Sequence, residues 1–130
     1  MAQIRHIAIR TRDVDQTAAF YKDAFGLTQV GMGKNGVYLT DGHLNIAILK
    51  YQESKDGEPL RLGVDHVGFQ VENLDSALAR IESLRGTALS EPTEVTPKDA
   101  AERQSYYEIK CVGPDEQVID ISTVGWVGAK

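Results

Sequence analysis

The sequence predicts an α+β fold built from two tandem β-α-β-β-β modules, with helices backing a sheet. Three observations lead there. Residue n matches residue n+60 without a gap over a long stretch: His6 falls on His66, Asp15 on Asp75, Ala19 on Ala79 and Gly26 on Gly86. Each copy opens with an alternating strand followed by a capped amphipathic helix. Each copy then continues with strand-like runs joined by turn signals. Two copies are too few for a solenoid and suit a pseudo-twofold pair. The 130 residues are therefore taken as one unit, with module 1 at about residues 1–51 and module 2 at about 64–124.

The first strands are IRHIAIR (4–10) and VDHVGFQV (64–71). Side chains alternate across a strand, so Ile7 and Ile9 share one face and His6 and Ala8 the other. Val67, Phe69 and Val71 likewise lie opposite His66, Gly68 and Gln70. In both strands the histidine stands on the small or polar face, and the greasy face is left to cover a helix. The first helix reads DVDQTAAFYKDAFG, with Asp13 as N-cap, Gln16 completing a capping box, Val14, Ala18, Tyr21 and Phe25 at helical spacing, and Gly26 as stop. The second reads NLDSALARIESLRG, with Asn73 as cap and Gly86 as stop. Module 1 continues with LTQVG, GVYLTDG and HLNIAILKY, where TDG signals a hairpin. Module 2 continues with ALSEPTEV, SYYEIKC and QVIDIST, where GPDE makes the last turn. QESKDGEPLRLG (52–63) reads as the linker, and TEVTPKDAAERQ (93–104) as a polar loop that could cover a pocket.

Composition narrows the function classes. Hydrophobic residues make up 42% and the net charge is −5, which disfavours nucleic acid or an anionic membrane as partner because both demand a positive face. The single cysteine, Cys111, excludes an internal disulfide. With no leader-like N-terminus and no apolar run of membrane-spanning length, a cytoplasmic protein is expected.

A lone histidine on a strand is usually structural, but two in register with a repeat make candidate ligands. Asp120, set between Ile119 and Ile121 in the last strand, is a carboxylate that is costly to bury unless paired or bound. Its structural alternative is to cap the turn at Ser122 and Thr123 or to pair with an Arg or Lys. Laying HLNIAILK on DEQVIDIS puts Ile48 on Asp120, so the wall made by Leu44, Ile46 and Ile48 is expected to be greasy. His43 reads as a turn residue, Cys111 as a buried small hydrophobe, and Phe20, Tyr21 and Phe25 as core or interface. Tyr38, Tyr106, Tyr107, Glu108 and Lys110 lie on strands that could line the site, with no acid or base ranked among them and the catalytic residues left unassigned.

The stretches RHIAIRTRDVDQTAAFY, DHVGFQVENLDSALARI and GPDEQVIDIS make the chain resemble the vicinal oxygen chelate superfamily of glyoxalases, bleomycin-resistance proteins and extradiol dioxygenases. The resemblance covers nearly the whole chain. It implies a cupped mixed sheet around a divalent metal, with ligands from the first and last strands of each module. Carried over, these are His6, His66 and Asp120, where Asp120 takes a position usually held by Glu. The fourth position falls on Ile48. Two histidines and one carboxylate with open positions suit Fe²⁺, with Mn²⁺, Zn²⁺ or Ni²⁺ as alternatives. The implied function is a metal-dependent small-molecule enzyme, of dioxygenase or lyase/isomerase type, that chelates its substrate through adjacent oxygens. It is nearer a dioxygenase than glyoxalase I because Ile48 replaces a ligand. The alternative is a metal-free ligand-sequestering protein of the bleomycin-resistance type. A homodimer is expected, with modules closing either within or across chains.

Overall fold

The computed structural model describes residues 1–52, 61–88 and 108–130. Its elements follow the expected order: β1 (Gln3–Thr11), α1 (Val14–Phe25), β2 (Thr28–Gly33), β3 (Gly36–Thr40), β4 (Asn45–Lys50), β5 (Gly63–Gln70), α2 (Leu74–Ser83), β6 (Thr87–Ala88), β7 (Glu108–Val112) and β8 (Val118–Ser122). All eight strands form one open mixed sheet in the order β2-β3-β4-β1-β5-β8-β7-β6. The two first strands meet at its centre as an antiparallel pair. Within each module the first and last strands run parallel, β1 with β4 and β5 with β8. The modules thus join within one chain. Most of the expected linker, residues 53–60, and the expected polar loop, within 89–107, lie outside the described residues, as do Tyr106 and Tyr107.

Each helix starts where its cap dictates. Asp13 accepts the Gln16 backbone N–H at 2.9 Å and Asn73 accepts that of Ser76 at 2.8 Å, which satisfies a donor that the first turn leaves without a helical partner. Gly26 ends α1 in the left-handed conformation. α2 ends differently from the sequence expectation: Leu84 caps it and Arg85, at φ 72°, takes the left-handed turn. Gly86 follows because a Cβ there would lie 2.4 Å from Ile81 Cγ2.

The helices cover two separate cores. Val14, Ala18 and Tyr21 of α1 pack with Val37, Leu39, Ile46 and Ile48, and Leu74, Leu78 and Ile81 of α2 pack with Ile109, Cys111, Ile119 and Ile121. Phe25 is an exception to its spacing and is 66% exposed.

This packing corrects the placement of Ile48. Asp120 pairs with Gly68 of β5 and Lys110 of β7, and the residue in the same station of module 1, paired with Ala8 and Tyr38, is Ala47. Ile48 is fully buried beneath α1. The alignment was one residue out of register, and in a strand a single step moves a side chain to the opposite face. Ile46 and Ile48 flank Ala47 as Ile119 and Ile121 flank Asp120. Of the expected greasy wall of Leu44, Ile46 and Ile48, the two isoleucines therefore belong to the helix-covered core, and the cup carries an alanine there.

Candidate metal centre

Both histidines owe their aim to irregular strand pairing. The register between β1 and β5 shifts between Ile4 and His6, and again between Ala8 and Ile9. The residues left over are Arg5 on β1 and Asp65 on β5, each immediately before its histidine. A bulge kinks the strand and re-aims the side chain beside it. The result is twofold: His6 faces Gly68 and His66 faces Ala8 across the ladder. Small residues opposite leave room for the rings.

The two rings and Asp120 converge. His6 Nε2 lies 3.2 Å from His66 Nε2, and His66 Nε2 lies 3.0 Å from Asp120 Oδ2. One donor atom from each of the three falls within 4.8 Å of the others, and all three residues are buried.

The outer nitrogens fix what the inner ones present. Asn45 Nδ2 donates to the Val127 carbonyl at 2.9 Å, so its Oδ1 must face His6 Nδ1, 2.7 Å away. An amide oxygen only accepts, so His6 Nδ1 carries the proton and Nε2 carries a lone pair. His66 Nδ1 donates in the same way to Asp65 Oδ2 at 2.7 Å. His6 therefore turns an Nε2 lone pair to the centre, and His66 turns its Nε2 there too, as a lone pair when the ring is neutral and as an N–H when it is protonated, beside a carboxylate oxygen. Asp120 Oδ2 stands 3.0 Å from His66 Nε2 and, among the described residues, is a buried oxygen that accepts no well-aligned hydrogen bond. Such a centre favours a cation. Orientation of ligand histidines by outer hydrogen-bond acceptors is a regular feature of metal sites.

Electrostatics separates the two rings. Burial is the main cause that lowers the His6 pKa to about 4, with the Asn45 hydrogen bond opposing it. Burial alone would lower His66 too, but the adjacent Asp120 carboxylate, and then Asp65, carry it above its ordinary value. Burial pushes Asp120 up, but His66 and Lys110 outweigh it and hold the carboxyl below its usual range. Lys110 Nζ donates to Asp120 Oδ1 at 2.6 Å, so one carboxylate oxygen is paired with a lysine while the other faces the centre. The sequence-based alternative of an ion pair thus coexists with the candidate ligand arrangement.

A cavity of about 200 Å³ opens beside these groups, lined by His6, His66, Ala47, Leu49, Tyr38, Glu108, Lys110, Arg10 and Trp126. Burial, then the charge of Asp120, raises the Glu108 carboxyl. Burial and Glu108 together raise the Tyr38 phenol. His43 does not enter the site: it sits exposed in the turn, its N–H bonded to Asp41 Oδ1. Tyr38, Glu108 and Lys110 line the site as their strands suggested, whereas Asn45, Asp65 and Trp126 were not singled out by sequence reasoning. The signals for two of them were the acid beside His66 in VDH and the chain's single tryptophan.

Residues 3–116 match the family model of the glyoxalase/bleomycin resistance protein/dioxygenase superfamily. The chain belongs to that superfamily. Among solved structures, methylmalonyl-CoA epimerase from Mycobacterium tuberculosis superposes with a TM-score of 0.68 at 18% identity, over 92% of this chain and 85% of that one. A Streptomyces coelicolor methylmalonyl-CoA epimerase variant, in complex with 2-nitronate-propionyl-CoA, gives 0.68 at 17% identity over 92% and 94%. The 2,3-dioxygenase LapB from a Pseudomonas species gives 0.69 at 17% identity, where the chain is covered over 98% but spans only 42% of LapB. At these identities the likeness is one of superfamily fold. No curated protein matches the sequence.

Proposed function

We propose that this superfamily member is a small-molecule enzyme whose divalent metal is held by His6, His66 and Asp120. The observation that carries the reading is the convergence of His6 Nε2, His66 Nε2 and a carboxylate oxygen of Asp120 within 4.8 Å, with each ring oriented by an acceptor at its Nδ1. Two histidines and one carboxylate favour Fe²⁺, with Mn²⁺, Zn²⁺ and Ni²⁺ as alternatives. When bound, such an ion supplies Lewis-acid polarisation of a substrate that offers two adjacent oxygens, and with iron it supplies oxygen activation.

The chain's own residues do the rest. Ala47 adds no fourth ligand and leaves space on the cup face. Leu49 and Trp126 give the cavity an apolar side, while Arg10 and Tyr38 offer donors to substrate oxygens. Glu108, raised by its burial, is a carboxyl that can hold or release a proton within the cavity. Neighbours that include both an epimerase and a dioxygenase are consistent with this class of site, and the open donor set favours the dioxygenase side.

The test is elemental analysis of untagged protein purified without chelator, alongside His66→Ala. About one equivalent of metal in the parent, lost in the variant, supports the reading. A metal-free, ligand-sequestering protein is favoured by one observation, the Lys110–Asp120 pair, which already balances the carboxylate charge. On that reading neither protein retains metal even after reconstitution, and His66→Ala leaves ligand binding unchanged.

A further inference from the structure

The segment that follows β8 is tied to both modules. Ser122 Oγ accepts the Val124 and Gly125 N–H groups at 3.3 and 3.2 Å, and Gln70 donates to the Thr123 carbonyl at 3.3 Å. The segment then crosses to module 1. The Thr40 hydroxyl shares its proton between the Gly128 carbonyl at 2.8 Å and the Leu44 carbonyl at 2.7 Å, and Arg5 donates to the Lys130 carbonyl at 2.7 Å. Gly125 and Gly128 make the two sharp turns at φ 78° and 79°.

Between those anchors the segment grips His6 twice. The Trp126 indole lies parallel to the His6 ring, 4.9 Å between centroids and 6° between planes. Its N–H donates to Glu108 Oε2 at 3.1 Å, which fixes the rotation of the indole. The next residue, Val127, gives the carbonyl that orients Asn45, and Asn45 in turn sets the His6 tautomer. Gly68 makes the space: a Cβ there would lie 2.7 Å from His6 Cβ and 2.8 Å from two Trp126 ring carbons. Among the described residues, His66 is held instead by Asp65 and Asp120 from its own module.

We propose that residues 123–130 form a positioning strap for the metal centre, in which Trp126 holds the His6 ring plane and Val127 fixes its tautomer through Asn45. The inference rests on the metal reading for its consequence, since the strap sets affinity for the ion, but not for its geometry. An outer partner of a ligand histidine typically changes metal affinity about 10–100-fold.

The experiment compares wild type, Trp126→Phe and Trp126→Ala by Zn²⁺ titration and by nitrogen NMR of the histidine rings in metal-free protein. Trp126→Phe keeps a stacked ring and guards against a variant that fails to fold. The expected result is Zn²⁺ affinity within about threefold of wild type for Trp126→Phe and weakened about tenfold or more for Trp126→Ala. The His6 ring should lose its single Nδ1–H tautomer in Trp126→Ala while His66 keeps its own, a selectivity that general loosening would not give. Equal Zn²⁺ affinity and an unchanged His6 tautomer in all three proteins would overturn the strap. Absence of Zn²⁺ binding in wild type would instead overturn the metal reading, and the strap is then decided by the His6 tautomer alone.

Discussion

The two modules share one scaffold and load it differently. β4 and β8 occupy twofold-related stations, yet β8 presents Asp120 to the cup and β4 presents Ala47. The contrast extends outward. His66 is supported by charge, with Asp65 behind it and Asp120 beside it, and His6 by neutral groups, Asn45 and Trp126. Module 2 therefore supplies two candidate ligand atoms inside a charged network, and module 1 supplies one in a drier, neutral setting. Duplication repeats positions, and the residue placed at each position decides its chemistry.

The sharpest way to break this comparison is to place the same charge on either side of one strand. Ile48→Glu puts a carboxylate into the α1 core and should cost roughly 4 kcal/mol or more, seen as a collapsed urea midpoint. Ala47→Glu puts it in the cup, should fold, and should tighten divalent metal binding roughly tenfold by adding a fourth donor, the second anionic one. If Ile48→Glu folded normally and Ala47→Glu did not, the register assigned to β4 would be wrong.

That one-residue distinction also marks the limit of what the sequence made legible. The sixty-residue repeat, the caps at Asp13 and Asn73, and the alternation in β1 and β5 were readable because each rests on local chemistry or strict periodicity. His6, His66 and Asp120 were readable as a convergent set because the repeat and the resemblance fixed their strands. The fourth station was not, because a text alignment of β4 and β8 does not fix the ladder register. Matching the Ile-x-Ile pattern of 46–48 to 119–121 would have found Ala47. Asn45 and Trp126 were hidden for another reason: their roles depend on contacts between residues 82 and 120 positions apart.

Titration of the two histidines offers the next test, in metal-free protein. An unfolded His6 takes up its proton near 6.5 and the folded ring only at about 4. Between those values the unfolded state binds more protons, so this group destabilises the fold as pH falls, by up to about 3 kcal/mol. His66 is raised, so its contribution is fully present below 6.5 and is lost as pH rises through its folded value. The rings thus oppose one another. His6→Gln should remove the acid-destabilising member, and its melting temperature should gain on wild type as pH drops from 7 to about 4.5. Parallel melting curves across that range would mean that His6 is not held neutral by burial.

The finest probe exchanges charged support for neutral support. Asp65→Asn leaves an oxygen for the His66 Nδ1–H but removes the negative charge, making module 2 resemble the Asn45 arrangement of module 1. Arg10 Nε stands 3.8 Å from the Asp65 carboxylate, a long pair, and Arg10 keeps its hydrogen bond to the Lys50 carbonyl, so the variant should fold. The lost charge makes the ring a poorer donor, and metal affinity should fall about tenfold, near the lower end for outer-shell substitutions. Competition with a chelator of known affinity measures it. If Asp65→Asn binds as tightly as wild type, the charge behind His66 serves its orientation alone, and the asymmetry between the modules narrows to Asp120 facing Ala47.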